Sequence, residues 1–561
     1  MCTPGINARP FHLRTFSHNL VDKGNRKIVE TYSFSLTEGQ TAAFEKHSVT
    51  ATDMYFDSAK LLDTAVGIVN ESVEKGSDAL FQESAAWWNE RWNDCDVTIE
   101  AQDSEGYNSQ LSIRIAMYHM LRAKAPDETR GSICSKTLTS DGYFGSVFWA
   151  MEMFKQPFFM YTAPEYAKSH IVWRYKNLEE ARKIAKSYGY KGARYPWQSS
   201  FNGEEVCAAF QYADHQVHVT ADVIVSMWHY YKATGDMDLL LDCGTEMAIE
   251  TARYWTGRVD YIKGREGYQL YGVMGPDEYK PITNNNYYTN FMVKRNLALA
   301  CELPMMMKEM KPEAYKKLCK KIGFDESETA EFKKIGEGLT LLEDKERNLL
   351  WQCDDFETAF ADVDIEGLWE DKNVLFGWYL SQEKRYRSKA IKQADIIALM
   401  GIYTETFTKE QMEACYRYYA PITIHDSSLS YSHHAIVISR LGIEDELYDW
   451  WKKAIDVDFG VLPRASDGIH SSNAGAMWQI IVNAFAGMVN ALNTDILWFK
   501  PCVPDNMEKI SFKVLWKKSP VEVTVTKHEF TLKNLSDSEI EFKLYDKEYK
   551  AEKSAIVKLY Y

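Results

Sequence analysis

The ten cysteines, at Cys2, Cys95, Cys134, Cys207, Cys243, Cys301, Cys319, Cys353, Cys415 and Cys502, fall singly, and none forms a CxxC pair. That scatter lacks the spacing of a zinc framework and argues against a disulfide scaffold, so thiols kept reduced in the cytoplasm are the economical reading. Long apolar runs are missing too. Nothing approaches the ~18 consecutive apolar residues of a membrane span, and the opening MCTPGINARPFHLRTF lacks the basic-then-apolar pattern of a signal peptide. Positive charge is in deficit: 65 Lys and Arg stand against 80 Asp and Glu, for a net charge of −15. Nucleic acid and anionic membranes are repelled by such a chain unless a local basic patch intervenes. The Lys-rich stretch 308–334 is interleaved with Glu and Asp and reads as a solvated helix pair, not as that patch.

What is present is a long chain, 561 residues, 45% hydrophobic and 14% aromatic, enough for a large core and several domains. Residues 27–56 alternate in strand fashion around Gly39 and predict a β-hairpin. From Ser58 to Asn93 the spacing of Leu61, Leu62, Val66, Val69, Val73 and Leu80 is helical, with a break at Gly76. Residues 103–497 then run as helical segments separated by Gly, Pro and Asn turns, which predicts a large α domain. After Trp498 the texture becomes β-branched, alternating and turn-punctuated, as in a small antiparallel β-domain.

The most informative segment is GVMGPDEYKPITNNNYYTNF, Gly272 to Phe291. Gly275–Pro276 forces a turn, so Asp277 and Glu278 sit on a loop among tyrosines and the amides Asn284–Asn285–Asn286. A carboxyl group in such surroundings can hold a proton near neutral pH and give it to a leaving oxygen. Other tracts accompany it in order: DGYFGSVFWAMEMFKQPFF from Asp141, GYKGARYPWQSSFNGEE from Gly189, HVTADVIVSMWHYYKATGD from His218, IKQADIIALM from Ile391, TIHDSSLSYSHHAI from Thr423 and DGIHSSNAGAMWQ from Asp467.

Together these motifs resemble the catalytic domain of glycoside hydrolase family 65, which includes maltose, kojibiose, nigerose and trehalose phosphorylases. The resemblance runs from about Trp87 to the C-terminus. It implies a mainly α fold, an (α/α)6 barrel over residues 101–498. A short remnant of an N-terminal β-sandwich (1–57), a helical linker (58–100) and a C-terminal β-domain (499–561) complete the expected arrangement. It implies an intracellular inverting disaccharide phosphorylase acting on an α-linked disaccharide or oligosaccharide. Inorganic phosphate would be the co-substrate, with no organic cofactor and no metal; dimerisation is left open. Glu278 is then the general acid. His425, Ser427, Ser428, His470 and Ser472 would cradle phosphate, both tracts preceding helical runs whose first N–H groups suit an anion. Trp149, Lys392, Gln393, Asp277 and Glu152 would contact sugar. His218 and Asp222, four apart on one helical face, are expected as a polar cluster at the barrel mouth.

Two departures stand out. Where the family commonly reads FWDTE this chain has Phe148–Trp149–Ala150–Met151–Glu152, so a sugar-gripping Asp is absent: either the donor sugar is not ordinary glucose, or Glu152 or Glu204 substitutes, or activity is weak. Tyr279–Lys280 replaces the more usual Tyr–His after the acid. Two rival readings follow. One is an inverting α-glycosidase with Asp426 or Asp467 as base, at about 6.5–9.5 Å from the acid. The other is a weakened paralogue that binds sugar without turnover.

Overall fold

The computed structural model describes residues 5–6, 16–22, 28–43, 45–372, 374–459 and 468–561. The chain divides into two compact units, Met1–Asn93 and Asp94–Tyr561. In the first, strand Phe16–Asp22 pairs antiparallel with Ile28–Phe34, and Gly5–Ile6 with Lys46–His47. The hairpin therefore precedes the one expected around Gly39, and between residues 41 and 56 only Lys46–His47 is strand among the described residues. Alternation marks a segment able to be a strand, but not its partner. Helices Leu61–Lys75 and Ser77–Cys95 follow, separated at Gly76, whose φ of 81° ends the first helix.

The second unit is the helical (α/α)6 barrel with its β-sheet region. Its helices separate into two kinds. Val219–Thr234 is buried along almost its whole length, with Trp228, Tyr231 and Lys232 partly exposed, as suits a helix largely enclosed by others, and ends at Gly235 in the left-handed conformation. Leu178–Ser187 buries only Leu178, Ala181 and Ala185, a single stripe, and leaves its charged face to solvent. Pro312–Ile322 likewise buries only Tyr315 and Leu318, the solvated texture expected of the Lys-rich stretch. The π-helical turn Ile480–Phe485 continues helix Ser471–Gln479 directly, and another, Met151–Lys155, packs against that helix. There Gly475 lets the Phe154 and Lys155 backbone approach where a Cβ would clash.

The C-terminal strands alternate as read: Val521, Val523 and Val525 point inward and are fully buried, facing Phe530 and Leu532. Five antiparallel strands run in the order Ile556–Tyr560, Glu529–Asn534, Ser519–Val525, Met507–Trp516, Val97–Ala101. Lys517 and Lys518, both at positive φ, make the tight turn between two of them. The edge strand Val97–Ala101 is a correction to the helical linker expected over 58–100. Its alternating Val97 and Ile99 are buried against a sheet whose other strands come from the far end of the chain.

Candidate active site

The loop after Gly275–Pro276 is fixed from its base upward. Val273 pairs with Thr283 to close it. The amide turn is its anchor: Asn284 Oδ1 accepts from Gly272 N at 3.1 Å, and Asn285 Oδ1 from Leu270 N at 2.9 Å. Asn286 caps helix Tyr287–Met310 by accepting the Thr289 N–H at 2.9 Å. On this frame Glu278 reaches an open cleft of about 550 Å³ and meets Lys392 Nζ at 2.6 Å. Burial works against the Lys392 ammonium, yet Glu278 outweighs it and lifts the group above the usual lysine range.

Tyr143, Tyr212, Arg385 and the 80%-exposed Trp378 complete the walls, giving aromatic faces of the kind that stack on sugar C–H surfaces. Among the described residues, the acidic side chains lining this cleft are Glu278 and Asp426. Asp426 is heavily engaged. Its Oδ1 accepts from Phe376 N at 3.2 Å, and its Oδ2 from Gly377 N and the Tyr279 hydroxyl, each at 2.8 Å. Asp467 lies outside the described residues.

Several residues read as sugar contacts stand behind the cleft wall instead. Asp277 is fully buried; Oδ1 accepts Lys392 N at 2.8 Å and Tyr279 N at 3.1 Å, and Oδ2 accepts Gln352 Nε2 at 2.9 Å. Gln393 is buried and donates to Pro276 O at 2.7 Å, bracing the acid loop. Trp149 packs edge-on to His218 and Tyr288, and His218 Nδ1 lies 2.6 Å from Asp222 Oδ2. That pair is sealed from solvent rather than lining an open mouth. Glu152 lies in the barrel interior, 2.8 Å from both His170 Nε2 and Arg174 Nε. Burial alone would push its carboxyl up, but Arg174 and His170 overcome this and hold it near about 2. Neither Glu152 nor the exposed Glu204 lines the cleft, so neither stands there in place of the carboxylate that Ala150 lacks.

The first of the two Ser/His tracts joins the acid's surroundings directly. Ile391 bridges to Thr423, and Ser430 Oγ receives Ala394 N at 3.1 Å while lying 2.8 Å from His425 Nδ1. His425 holds φ at 59°, a left-handed strain that persists only where surrounding contacts fix it, here the rings of Tyr431 and Trp450. Ser427 Oγ accepts from Leu429 N at 3.2 Å, and Ser428 is half-buried beside it. The second tract is knit to another loop: His470 Nδ1 lies 2.9 Å from Asp458 Oδ1, and its Nε2 2.9 Å from Lys136 Nζ. Ser471 takes Lys155 Nζ at 3.1 Å, and Ser472 is buried in the first helical turn. Helices Tyr431–Leu441 and Ser471–Gln479 start at these tracts and pack together, and neither N-cap side chain, Ser430 or His470, caps its helix. Side-chain capping thus does not consume their leading N–H groups, although Ser471 N already donates to Ser135 O at 3.0 Å.

Lys136, Arg385 and the stapling role of Asp426 escaped the sequence reading. The only available signal was that Asp426 lies inside a tract already singled out.

The class of protein is now defined. Residues 114–479 match the glycosyl hydrolase family 65 central catalytic domain, and residues 492–551 the family's C-terminal domain. The chain belongs to glycosyl hydrolase family 65. It is 34% identical over 538 residues to a kojibiose phosphorylase of Halothermothrix orenii, covering 92% of this chain and 68% of that one. It is 33% identical over 544 residues to an alpha,alpha-trehalose phosphorylase of Thermoanaerobacter brockii, covering 96% and 68%. A solved structure from human microbiome, assigned as a kojibiose phosphorylase, superposes with a TM-score of 0.85 at 28% identity, covering 97% of this chain and 72% of that one.

Proposed function

We propose that the chain is an inverting disaccharide phosphorylase that cleaves an α-glucoside with inorganic phosphate, giving β-hexose 1-phosphate and the remaining sugar. Glu278 protonates the bridging oxygen as the anomeric C–O bond breaks. A phosphate oxygen attacks the anomeric carbon from the opposite face and forms the new C–O bond, inverting the centre. His425, Ser427, Ser428, His470 and Ser472, with the N–H groups of two helix starts, orient that phosphate. Lys392, with Nζ 2.6 Å from Glu278, positions that carboxyl.

One observation carries this reading over hydrolysis. A hydrolase needs a second carboxylate able to take a proton from water. Among the described residues the second cleft carboxylate is Asp426, which already receives two backbone N–H groups and a tyrosine hydroxyl. Phosphate arrives as an anion and needs no such base.

The test is product analysis with trehalose, kojibiose, nigerose, maltose and galactosyl analogues, with and without phosphate. Hexose 1-phosphate formed only with phosphate is expected, and it names the substrate as well. Free monosaccharides formed regardless of phosphate would establish a hydrolase. Sugar-induced stabilisation without turnover would make the chain a binding paralogue.

A further inference from the structure

Lys280, the residue that departs from the family's usual histidine, belongs to the acid loop and is 1% exposed. Its Nζ donates to Ala390 O at 2.8 Å, stands 3.6 Å from Asp277 Oδ2, and faces the rings of Phe360 at 5.3 Å and Phe356 at 6.0 Å. A buried ammonium is unfavourable by several kcal/mol unless acceptors and π faces offset it, so a lysine here is no passive filler. Burial pulls its pKa down and Asp277 opposes that.

The seam it crosses is the one that matters for the acid. Asp277 Oδ1 accepts N–H groups from both sides: Tyr279 on the acid loop, and Lys392 on the segment that supplies the partner of Glu278. Lys280 crosses the same seam in the other sense, from the acid loop to Ala390 O, two residues before Lys392. Asp277 and Glu278, adjacent in sequence, thereby hold the backbone and the ammonium of one lysine.

We propose that Lys280 is a positioning residue. With Asp277 it clamps the acid loop to the 390–392 segment and so fixes the place of Glu278 without touching substrate. Its catalytic consequence rests on the phosphorylase reading above; the clamp itself does not.

The experiment compares Lys280→Met, Lys280→His and the double variant Lys280→Met/Asp277→Asn in the full chain. Steady-state kinetics are measured on the disaccharide found by product analysis, and amide hydrogen exchange is followed by mass spectrometry without substrate. Lys280→Met should lower kcat about 30-fold or more, with KM for phosphate and sugar within threefold of wild type, and speed exchange at 273–283 and 389–395. Lys280→His keeps a donor toward Asp277 and should recover most of kcat. The double variant removes both charges, so its unfolding midpoint should return toward wild type while kcat stays low. Recovery of kcat together with stability would make the pair merely structural and overturn the proposal. A raised sugar KM at unchanged kcat would overturn it too, by making the pair a substrate contact. If wild type yields no hexose 1-phosphate, the function reading fails alone. Exchange confined to the two segments then still upholds the clamp, and unchanged or global exchange refutes it.

Discussion

Gly275→Ala tests whether the acid loop is held as tightly as its hydrogen bonds imply. A Cβ at Gly275 would stand under 3.0 Å from Asn286 Nδ2, Asn286 Cγ and Asp395 Oδ2. Neither neighbour can yield freely. Asn286 is 1% exposed, caps helix Tyr287–Met310 through Thr289 N, and donates to Asp395 Oδ2 at 3.1 Å and Gln352 O at 3.2 Å. Displacing it forfeits an N-cap worth about 1 kcal/mol and leaves buried polar groups unpaired at about 1–3 kcal/mol each. Together these predict a loss near 4 kcal/mol in the free energy of unfolding. The loop would move with Asn286, so kcat should fall at least tenfold. Urea unfolding gives the first quantity from the midpoint at constant slope, and initial rates of hexose 1-phosphate formation give the second. Gly67→Ala is the control: its Cβ meets nothing within 4 Å inside a regular helix, so it should be neutral or mildly stabilising. A Gly275→Ala protein as stable and as fast as wild type would refute the account of the loop.

Glu278→Gln keeps the shape and loses the proton, so turnover should drop about 10²–10⁴-fold while sugar affinity, read by calorimetry, stays nearly unchanged. Ser428→Ala should raise KM for phosphate roughly tenfold or more, the value of one hydrogen bond to a charged group, and leave KM for disaccharide largely alone; equal effects would argue against the cradle. Burial, then the neighbouring Asp277 carboxylate, pushes Asp395 up to about 8. The folded state therefore keeps a proton that the unfolded state releases near pH ~4, and stability should decline as pH rises from about 4 to about 8 and level off above. Asp395→Asn should flatten that decline by a few kcal/mol, measured as unfolding midpoints at acidic, neutral and alkaline pH; an unchanged slope would place the titration elsewhere.

The helical domain, the terminal strands and the loop bearing Glu278 were legible because they rest on local signals: periodicity, turn chemistry and ordered motifs. Direction within a loop was not. Asp277 and Glu278 are neighbours, yet one is sealed inside and the other opens on the cleft, a choice set by Lys392 and Gln352, which come from far along the chain. Gln393 and Lys392 divide in the same way. Glu152 read as a sugar contact because it lies two residues past Ala150, where the family carries its sugar-gripping Asp, but helix geometry turns it toward His170 and Arg174. Pairing was equally hidden in the strands. The partner of Val97–Ala101 lies near the other end of the chain, where no local pattern could announce it.

That last pairing has a temporal meaning. Lys509 meets Glu100 across 409 residues of sequence. At about 5–20 residues per second of synthesis, the strand Val97–Ala101 leaves the ribosome roughly 20–80 s before its neighbour exists. During that interval Gln110 can already take Ile99 N and Val97 O on one side, but the edge that will pair with Met507–Trp516 stands open. The sheet is thus the latch that closes last on the nascent chain. Expression without chaperones that shield such edges should favour aggregates over enzyme, however sound the finished active site.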